Sequence, residues 1–492
     1  MQRYRRGKHM VQTTTDKKKV TPPLSTVFPP DLGILMKARL EAGRRNIKLR
    51  DISNIMLHDP TLTMEFLQSA NSTMFSGAPA IDLDAALIRL GSARVVVELG
   101  DMYLRPPIKD EGIAEVFDIL RYQSRRVSIV SLIIASALRP QLAMAARISG
   151  LLSEAGHMAC LLSLGTTYVE MLKQHKRKNL PYRLEKDHKL DLDTIRYKYL
   201  KSKGIPDKLM APFELDPKLK SPGDVDLRYC VRSAIAIVDA YDNGKFESYN
   251  PTQQLPSHAE LRLLKLTPIQ HERLYKILGE YLKKTAEQEA PEGASLLINS
   301  TEVDDTLDLS DAIHDPLKVP HYPVTTVKPA SRAQLEDFFA VCENAINEDQ
   351  LKVSALESLS RSGFFTRTAI VRVPSQSNHA QIDQSLGFEP PLGPSIEIAD
   401  PLSPFNLFRL DIKSFNSKSK ATKTPFGTSA FAIGPVALLP NGEKVLLYAD
   451  AAPRQGLNMD CRGAFRLAMN LLVSKFEIFR ANEKEAAVMT ER

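Results

Sequence analysis

The sequence predicts a multidomain protein, an all-α unit followed by an α+β unit, and three observations carry that expectation. Apolar residues recur at three- and four-residue spacing from Asp31 to about residue 283, the pattern of helices with one buried face. Between 285 and 330 the chain becomes acidic and proline-rich, and no apolar face is sustained. Beyond it stand runs rich in β-branched and aromatic residues, FFTRTAIVRV at 364–373 and EKVLLYAD at 443–450, which read as strands.

Taken in order, Leu32, Leu35, Met36 and Leu40 form the stripe of a first helix, and Leu49, Ile52, Ile55 and Met56 that of a second. Asp59-Pro60 supplies an N-cap followed by proline at the first helical position, opening a helix that buries Leu62, Phe66, Leu67 and Ala70. Asp82 caps the next, whose face is Leu83, Ala86, Leu87 and Leu90. Gly91 ends it, and Ser92 is expected to cap a short helix reaching Gly100. Helical periodicity continues over 113–138, over 145–165 as one element, near 192–203, near 224–241, and in a last pair near 257–283. In the second unit one helix is expected over 331–361, bearing Leu335, Phe338, Phe339 and Ala345. Asn441-Gly442 is a hairpin signal joining AFAIGPVALL to the last strand. The closing helix shows Phe465, Ala468, Met469, Leu472, Phe476 and Phe479 on one face, fit to cover a sheet. The expected division is a disordered basic tail over 1–20, the helical unit over 21–284, a linker over 285–330, the α+β unit over 331–484 and a disordered tail over 485–492.

A length of 492 residues exceeds one core at about 100–200 residues per domain. With 43% hydrophobic and 25% charged residues, the composition is that of a folded globular chain. No apolar run approaches the roughly 18 residues that cross a bilayer, and none follows the basic start as a signal peptide requires, so a cytoplasmic protein without membrane insertion is expected. Cys160, Cys230, Cys342 and Cys461 stand far apart and form no CxxC pair, which excludes an encoded disulfide framework or cysteine zinc site. The net charge of +7 is concentrated in Arg3, Arg5, Arg6, Lys8, Lys17, Lys18 and Lys19. No recognition motif accompanies it, so a solvated tail is expected rather than nucleic-acid binding.

Three ordered motifs carry a family resemblance: Asp59-Pro60-x-Leu62, then Ala70-Asn71-Ser72, then Ala86-Leu87-x-x-Leu90-Gly91. Downstream, GLLSEAGHMACLL at 150–162 and KGIPDKL at 203–209, with Gly204 and Pro206, continue the series. Together they resemble an HDOD domain over about residues 20 to 283. That family is distantly related to catalytic HD-type phosphohydrolases, which hold metal ions with histidines and aspartates on facing helices. The resemblance implies that the His-Asp positions fall on Ser153 and Glu154, an earlier histidine position on Gln123 or Ser124, and a later one on Leu192. HDOD domains are regarded as non-hydrolytic, and leucine offers a metal no donor. No metal, no cofactor and no catalytic residue are therefore expected. The residues themselves leave a second metal pattern to weigh, Glu154-x-x-His157 and Glu185-x-x-His188, the spacing of di-iron bundles. Two further inward glutamates are missing and Glu185 lies in a charged segment taken as loop, so exposed polar residues are expected. Asn71 and Ser72 are expected to cap their helix end locally, contact with a partner being the alternative.

The unit over 331–484 resembles a GAF-like domain in element order, in the aspartate-ended strand Leu446 to Asp450, in the strand around Thr368 to Val373 and in Leu386-Gly387. That resemblance implies a sensor or dimerisation module. The basic segment 408–427 is expected as a surface loop. The expected function is that of a non-catalytic bacterial signal-transduction protein that binds a signalling partner, with homodimerisation or a small ligand at the GAF-like unit. Two alternatives are a metal-dependent phosphohydrolase or cyclic-dinucleotide phosphodiesterase and a nucleotide sensor. No GxSxG, phosphate-binding glycine loop or HExxH supports catalysis.

Overall fold

The computed structural model describes residues 26–44, 46–72, 77–175, 177–214, 221–246, 267–288, 307–308, 332–374, 377–398, 405, 413–416, 426, 431–439, 441–450, 457 and 459–490. The expected tail over 1–20 lies outside them, as do most of the linker and most of 408–427.

All described elements up to residue 288 are helical: α1 (Leu32–Ala42), α2 (Leu49–Met56), α3 (Pro60–Ala70), α4 (Leu83–Leu90), α5 (Ser92–Tyr103), α6 (Glu111–Leu138), α7 (Ala143–Leu151), α8 (Ala155–Leu164), α9 (Thr166–Gln174), α10 (Leu180–His188), α11 (Leu192–Ser202), α12 (Asp207–Met210), α13 (Pro222–Asp242) and α14 (Pro268–Gln288). Side-chain caps start many of them. Asp31, Asp59, Asp82 and Asp110 each accept from the backbone N–H three residues on, which satisfies a donor the helix cannot. Gly91, at φ 77°, both ends α4 and precedes α5, a backbone that a side chain would strain. Ser92 therefore does not cap. It is the first residue of α5, and Gly91 occupies the cap position.

The 28-residue α6 is the spine of this unit, buried almost all round from Val116 to Ala135. α7 lies directly against it, because Gly150 removes the side chain at the closest approach. A Cβ there would sit 2.9 Å from the backbone of Ser128 and 2.7 Å from Oγ of Ser131.

Several expected elements differ. The helix expected over 145–165 is two, α7 and α8, separated by a turn at 152–154 that holds Ser153 and Glu154. The segment around Glu185, expected as loop, is α10: Pro181 stands near its start, where proline is tolerated, and Leu180 and Leu184 anchor it. The helical unit extends past 284. Thr285 is fully buried and its carbonyl accepts from the hydroxyl of Tyr122 at 3.1 Å, which ties the end of α14 to α6.

In the second unit the helix expected over 331–361 is broken into α15 (Arg332–Asn344) and α16 (Glu348–Arg361), the second capped by Asn347 onto the N–H of Gln350. The strands are β1 (Leu307–Asp308), β2 (Arg367–Val373), β3 (His379–Leu386), β4 (Ser395–Glu397), β5 (Lys413–Asn416), β6 (Phe431–Leu438) and β7 (Lys444–Asp450). They form one antiparallel sheet in the order β1-β5-β6-β7-β2-β3-β4. The Asn441-Gly442 hairpin stands where expected, with Gly442 at φ 83°. A last helix, α17 (Met459–Thr490), crosses the sheet and continues six residues past the expected boundary at 484. Its end, EKEAAVM, is built from good helix formers.

Strand alternation divides the sheet's two faces cleanly. Ile370, Val445, Leu447 and Ala449 face the helices α15, α16 and α17, while Ala369, Val371, Leu446 and Tyr448 face a second, aromatic layer. The helix α1 belongs to both units: Ile34, Leu35 and Ala38 enter the helical core, and Met36 and Leu40 enter the core of the second unit. Between them Arg39 pairs with Glu343 at 2.9 Å and stacks on the rings of Tyr103 and Phe339.

Close approach at Gly150 makes a sharp prediction. Gly150→Ala should destabilise the chain by about 1–3 kcal/mol through overpacking. Gly100→Ala, also mid-helix but with nothing within 4 Å, should stabilise by about 0.5–1 kcal/mol. Denaturant unfolding of the two variants checks the contrast, and equal effects would contradict the described α6–α7 contact.

Candidate functional site

The α6 sequence RYQSRRVS places Arg121, Arg125 and Arg126 on a helix with almost no access to water. A buried guanidinium needs carboxylates and carbonyls around it, and the fold supplies them from far along the chain. On one side Arg125 donates to Asp31 Oδ2 at 2.8 Å and to the carbonyl of His58. Arg121 pairs with Asp118 and donates to the carbonyl of Pro29, and its Nε lies 3.6 Å from Asp59. Asp59 in turn accepts from the N–H of Leu62 at 2.7 Å and of Asp31 at 2.9 Å. The Asp-Pro motif is thus both a helix cap and a member of an ionic network. Burial raises the Asp59 carboxyl above the usual range despite Arg121 beside it.

On the other side of α6 lie the positions where the sequence placed a metal site, and the structure brings most of them into one buried cluster. Gln123 donates to Asp242 Oδ2 at 2.7 Å, and Arg126 Nη1 donates to Oδ1 of the same carboxylate at 2.5 Å. Arg126 is fully buried beside the rings of Tyr122 and Tyr241. Burial opposes its charge, but Tyr122 and Asp242 outweigh burial and hold it above its ordinary value. Glu154 is buried and accepts from Arg177 Nη2 at 2.6 Å. Burial pushes the Glu154 carboxyl up, Arg177 overrides it, and the net direction is down, so the group stays ionised. Asp239 stands within electrostatic reach of Arg177 and Glu154, and burial raises its carboxyl.

His157, one turn along α8 from Glu154, is buried, which lowers its imidazole to about 4. Neutral at ordinary pH, it shares a hydrogen bond of 2.6 Å between Nδ1 and the hydroxyl of Tyr168. The expectation that the two Glu-x-x-His pairs are exposed therefore fails for the first, which is buried in this cluster, and holds for Glu185, which is exposed on α10. The two pairs do not form one site. Among the described residues no three His, Cys, Asp or Glu side chains are grouped as metal ligands.

Ser124 and Ser153 are buried with no hydrogen-bond partner for Oγ among the described residues, and Leu192 packs at the start of α11, its carbonyl close to Gly156 of α8. This donor set does not fit a divalent cation: serine hydroxyls and a leucine stand where imidazole and carboxylate would be needed, and the carboxylate present faces a guanidinium. Sequence reasoning missed Arg126, Arg177, Asp239 and Asp242. Three arginines close together in a long helix rich in apolar residues, and two aspartates three apart on α13, were the available signal.

The remaining motif residues are structural. Asn71 does not cap its own helix end as expected. Its side chain accepts from the N–H of Ala80 at 2.7 Å and donates to the carbonyl of Ala80 at 3.0 Å, clipping the chain ahead of α4. Ser72 makes no hydrogen bond through Oγ among the described residues. Leu90 is buried under Gly91, and Gly204, at φ 66°, and Pro206 form the turn into α12.

Comparison with known proteins agrees with the first half of the chain. Residues 29–212 match the family model of the HDOD domain, so the helical unit carries an HDOD domain. Two crystal structures of the MmoQ response regulator from Methylococcus capsulatus strain Bath resemble the chain. One is 17% identical with a TM-score of 0.42, covering 51% of this chain and 99% of that one. The other, a fragment, is 16% identical with a TM-score of 0.40, covering 51% and 94%. No curated protein matches the chain. No helix among the described residues is long and apolar enough to cross a membrane.

Two measurements probe the cluster. Arg177→Met leaves Glu154 buried and unpaired and should cost about 3 kcal/mol, whereas adding Glu154→Gln should return part of that loss. Additive effects in denaturant titrations would rule out the pair. For His157 the folded state binds fewer protons than the unfolded chain between its lowered value of about 4 and the ordinary 6.5. This residue's contribution is present above pH 6.5 and is lost as pH falls toward 4. Stability profiles of His157→Gln and the parent should therefore diverge in that window, with the variant losing less on acidification.

Proposed function

We propose that this chain is a non-catalytic regulatory protein that works by binding another protein through its HDOD-bearing helical unit, with the second unit, GAF-like in its architecture, modulating that contact or joining two copies. The observation that carries this reading is the buried guanidinium of Arg177, paired with Glu154 at 2.6 Å and within electrostatic reach of Asp239 and Asp242. A divalent ion entering there would meet fixed positive charge, and the one first-turn histidine of α8 is neutral and committed to Tyr168. On this reading the cluster offers a hydrolytic water no cation to lower its pKa.

The antiparallel sheet with helices on one face and the aspartate-ended β7 support the GAF-like reading. Its other face is stacked with Phe388, Phe405, Phe426 and Phe431 around Tyr448, ring centroids 4.8–6.4 Å from that tyrosine. Such filling supports a packing or dimerisation role over a ligand cup. At its margin Asp450 holds Arg367 through three hydrogen bonds of 2.7–3.1 Å and accepts from the Tyr448 hydroxyl at 2.6 Å. On the helical unit, Ile88 and Val97 stand 71% and 60% exposed on the adjacent helices α4 and α5, apolar positions available to a partner.

The test has two arms. Purified chain with manganese or ferrous iron should not turn over nucleotides or cyclic dinucleotides, and turnover that disappears in Glu154→Ala would overturn the reading. In affinity capture from the native cell, Ile88→Asp combined with Val97→Asp should lower recovery of the partner about tenfold without changing the unfolding midpoint.

A further inference from the structure

Where the two units meet there is a cavity of about 70 Å³, roughly the liquid volume of two water molecules. Its walls come from four places in the sequence: Pro29 before α1, Arg105 and Pro107 between α5 and α6, Asp118 and Arg121 one turn apart on α6, and Arg332 at the start of α15. Three arginines and one aspartate therefore line a space otherwise bounded by apolar residues.

Each guanidinium has a carboxylate neighbour, Glu65 for Arg105, Asp118 for Arg121 and Glu336 for Arg332, and Arg121 also donates to the carbonyl of Pro29, yet not every donor is used. Arg105 donates one Nη2 bond to Glu65 at 3.1 Å, but its Nη1 is buried without a hydrogen-bond partner among the described residues. Nε of Arg121 is also buried and makes no hydrogen bond among the described residues, an oxygen of Asp59 standing 3.6 Å away. Arg332 reaches the carbonyl of Tyr103 at 3.1 Å and pairs with Glu336 at 2.6 Å. Buried N–H groups gain most from a charged oxygen acceptor, and the planar guanidinium matches an oxyanion in two-point contact.

We propose that this cavity binds a small oxyanion of phosphate size through Arg105, Arg121 and Arg332, and that its occupancy braces the joint between the two units. The inference goes beyond partner binding and stands without it. Arg332 is the sole lining residue named here from the second unit, so an anion shared between it and Arg105 ties α15 to the connection ahead of α6. Asp118 does not bar the anion. Burial pushes its carboxyl up to about 7, with Arg121 and Arg125 lowering it and Asp31 raising it, while Arg105 and Arg332 line the same cavity. In its protonated form it presents an O–H donor, and an anion alongside favours that form.

Isothermal titration of the full chain with sodium phosphate, against sodium chloride at matched ionic strength, should show saturable binding of phosphate alone. Arg105→Gln and Arg332→Gln should each weaken it about tenfold, and Arg94→Gln, on an exposed pair with Glu98, should not. Sulfate, which does not titrate near neutrality, serves for the pH arm: its affinity should rise as pH falls from about 8 to about 6, and Asp118→Asn should flatten that rise. Arg332 lies at the joint and its replacement leaves the Arg39–Glu343 pair in place, so a folded variant is available even if Arg105→Gln unfolds. Chloride acting as well as phosphate, no saturable binding by either anion, or unchanged affinity in Arg332→Gln would overturn the proposal.

Discussion

Burying three guanidinium groups on one helix is the constraint from which the rest of the helical unit follows. Arg121, Arg125 and Arg126 leave water when α6 enters the core, and an unpaired charge there would cost several kcal/mol per ion. Their carboxylates come from opposite ends of the unit, Asp31 and Asp59 from before α3 and Asp242 from the last turn of α13. The charges of the spine are therefore paired only when segments far away in sequence, those of Asp31, Asp59 and Asp242, have arrived. Such a network adds little to net stability compared with an apolar core of the same shape, but it penalises misregistered packings in which one charge is left alone.

The same network sets the geometry between the units. Asp31, which pairs with Arg125, is also the N-cap of α1, and α1 gives one face to each core. A helix that is apolar on both sides has no solvent face on which to slide. Any shift of Met36 and Leu40 in the second core must also move the cap that Arg125 holds. This is a physical route by which the second unit can influence the helical unit, through one rigid element and not through a chain of weak contacts.

Periodicity made the apolar faces of α1 to α4 legible residue by residue, and three of these four helices open on an aspartate cap, Asp31, Asp59 or Asp82. Where such a signal was misread or missing, boundaries failed. The turn at Ser153-Glu154 interrupts a stretch whose apolar spacing runs on unbroken, since α7 and α8 bury adjoining faces of the same core. The break between α15 and α16 turns on Asn347, a cap that sequence reading passed over. β3 went unseen because HAQIDQSL carries only Ala380, Ile382 and Leu386 as alternating apolar residues among polar ones, and of these only Ala380 is buried. In the candidate site, Gln123, Ser153, Glu154 and Leu192 could be placed by motif, but Arg177 and Asp242 could not. Their roles arise from tertiary approach across 23 and 116 residues, which no spacing rule encodes.

A metal centre and an ionic cluster place opposite demands on the same interior. A catalytic metal needs donors held open, with one position left for water and a field that favours a hydroxide. Around Glu154 the field is instead neutralised by arginine: the carboxylate is fixed by a 2.6 Å contact to Arg177, and Asp242 is shared by Gln123 and Arg126. Groups committed in this way cannot exchange ligands without breaking buried ion pairs, each worth about 3–5 kcal/mol when one partner is lost. An interior so constrained is suited to holding a shape. On the function proposed above, what this unit does to other molecules is expressed at its surface and at the joint where α1, α6 and Arg332 come together.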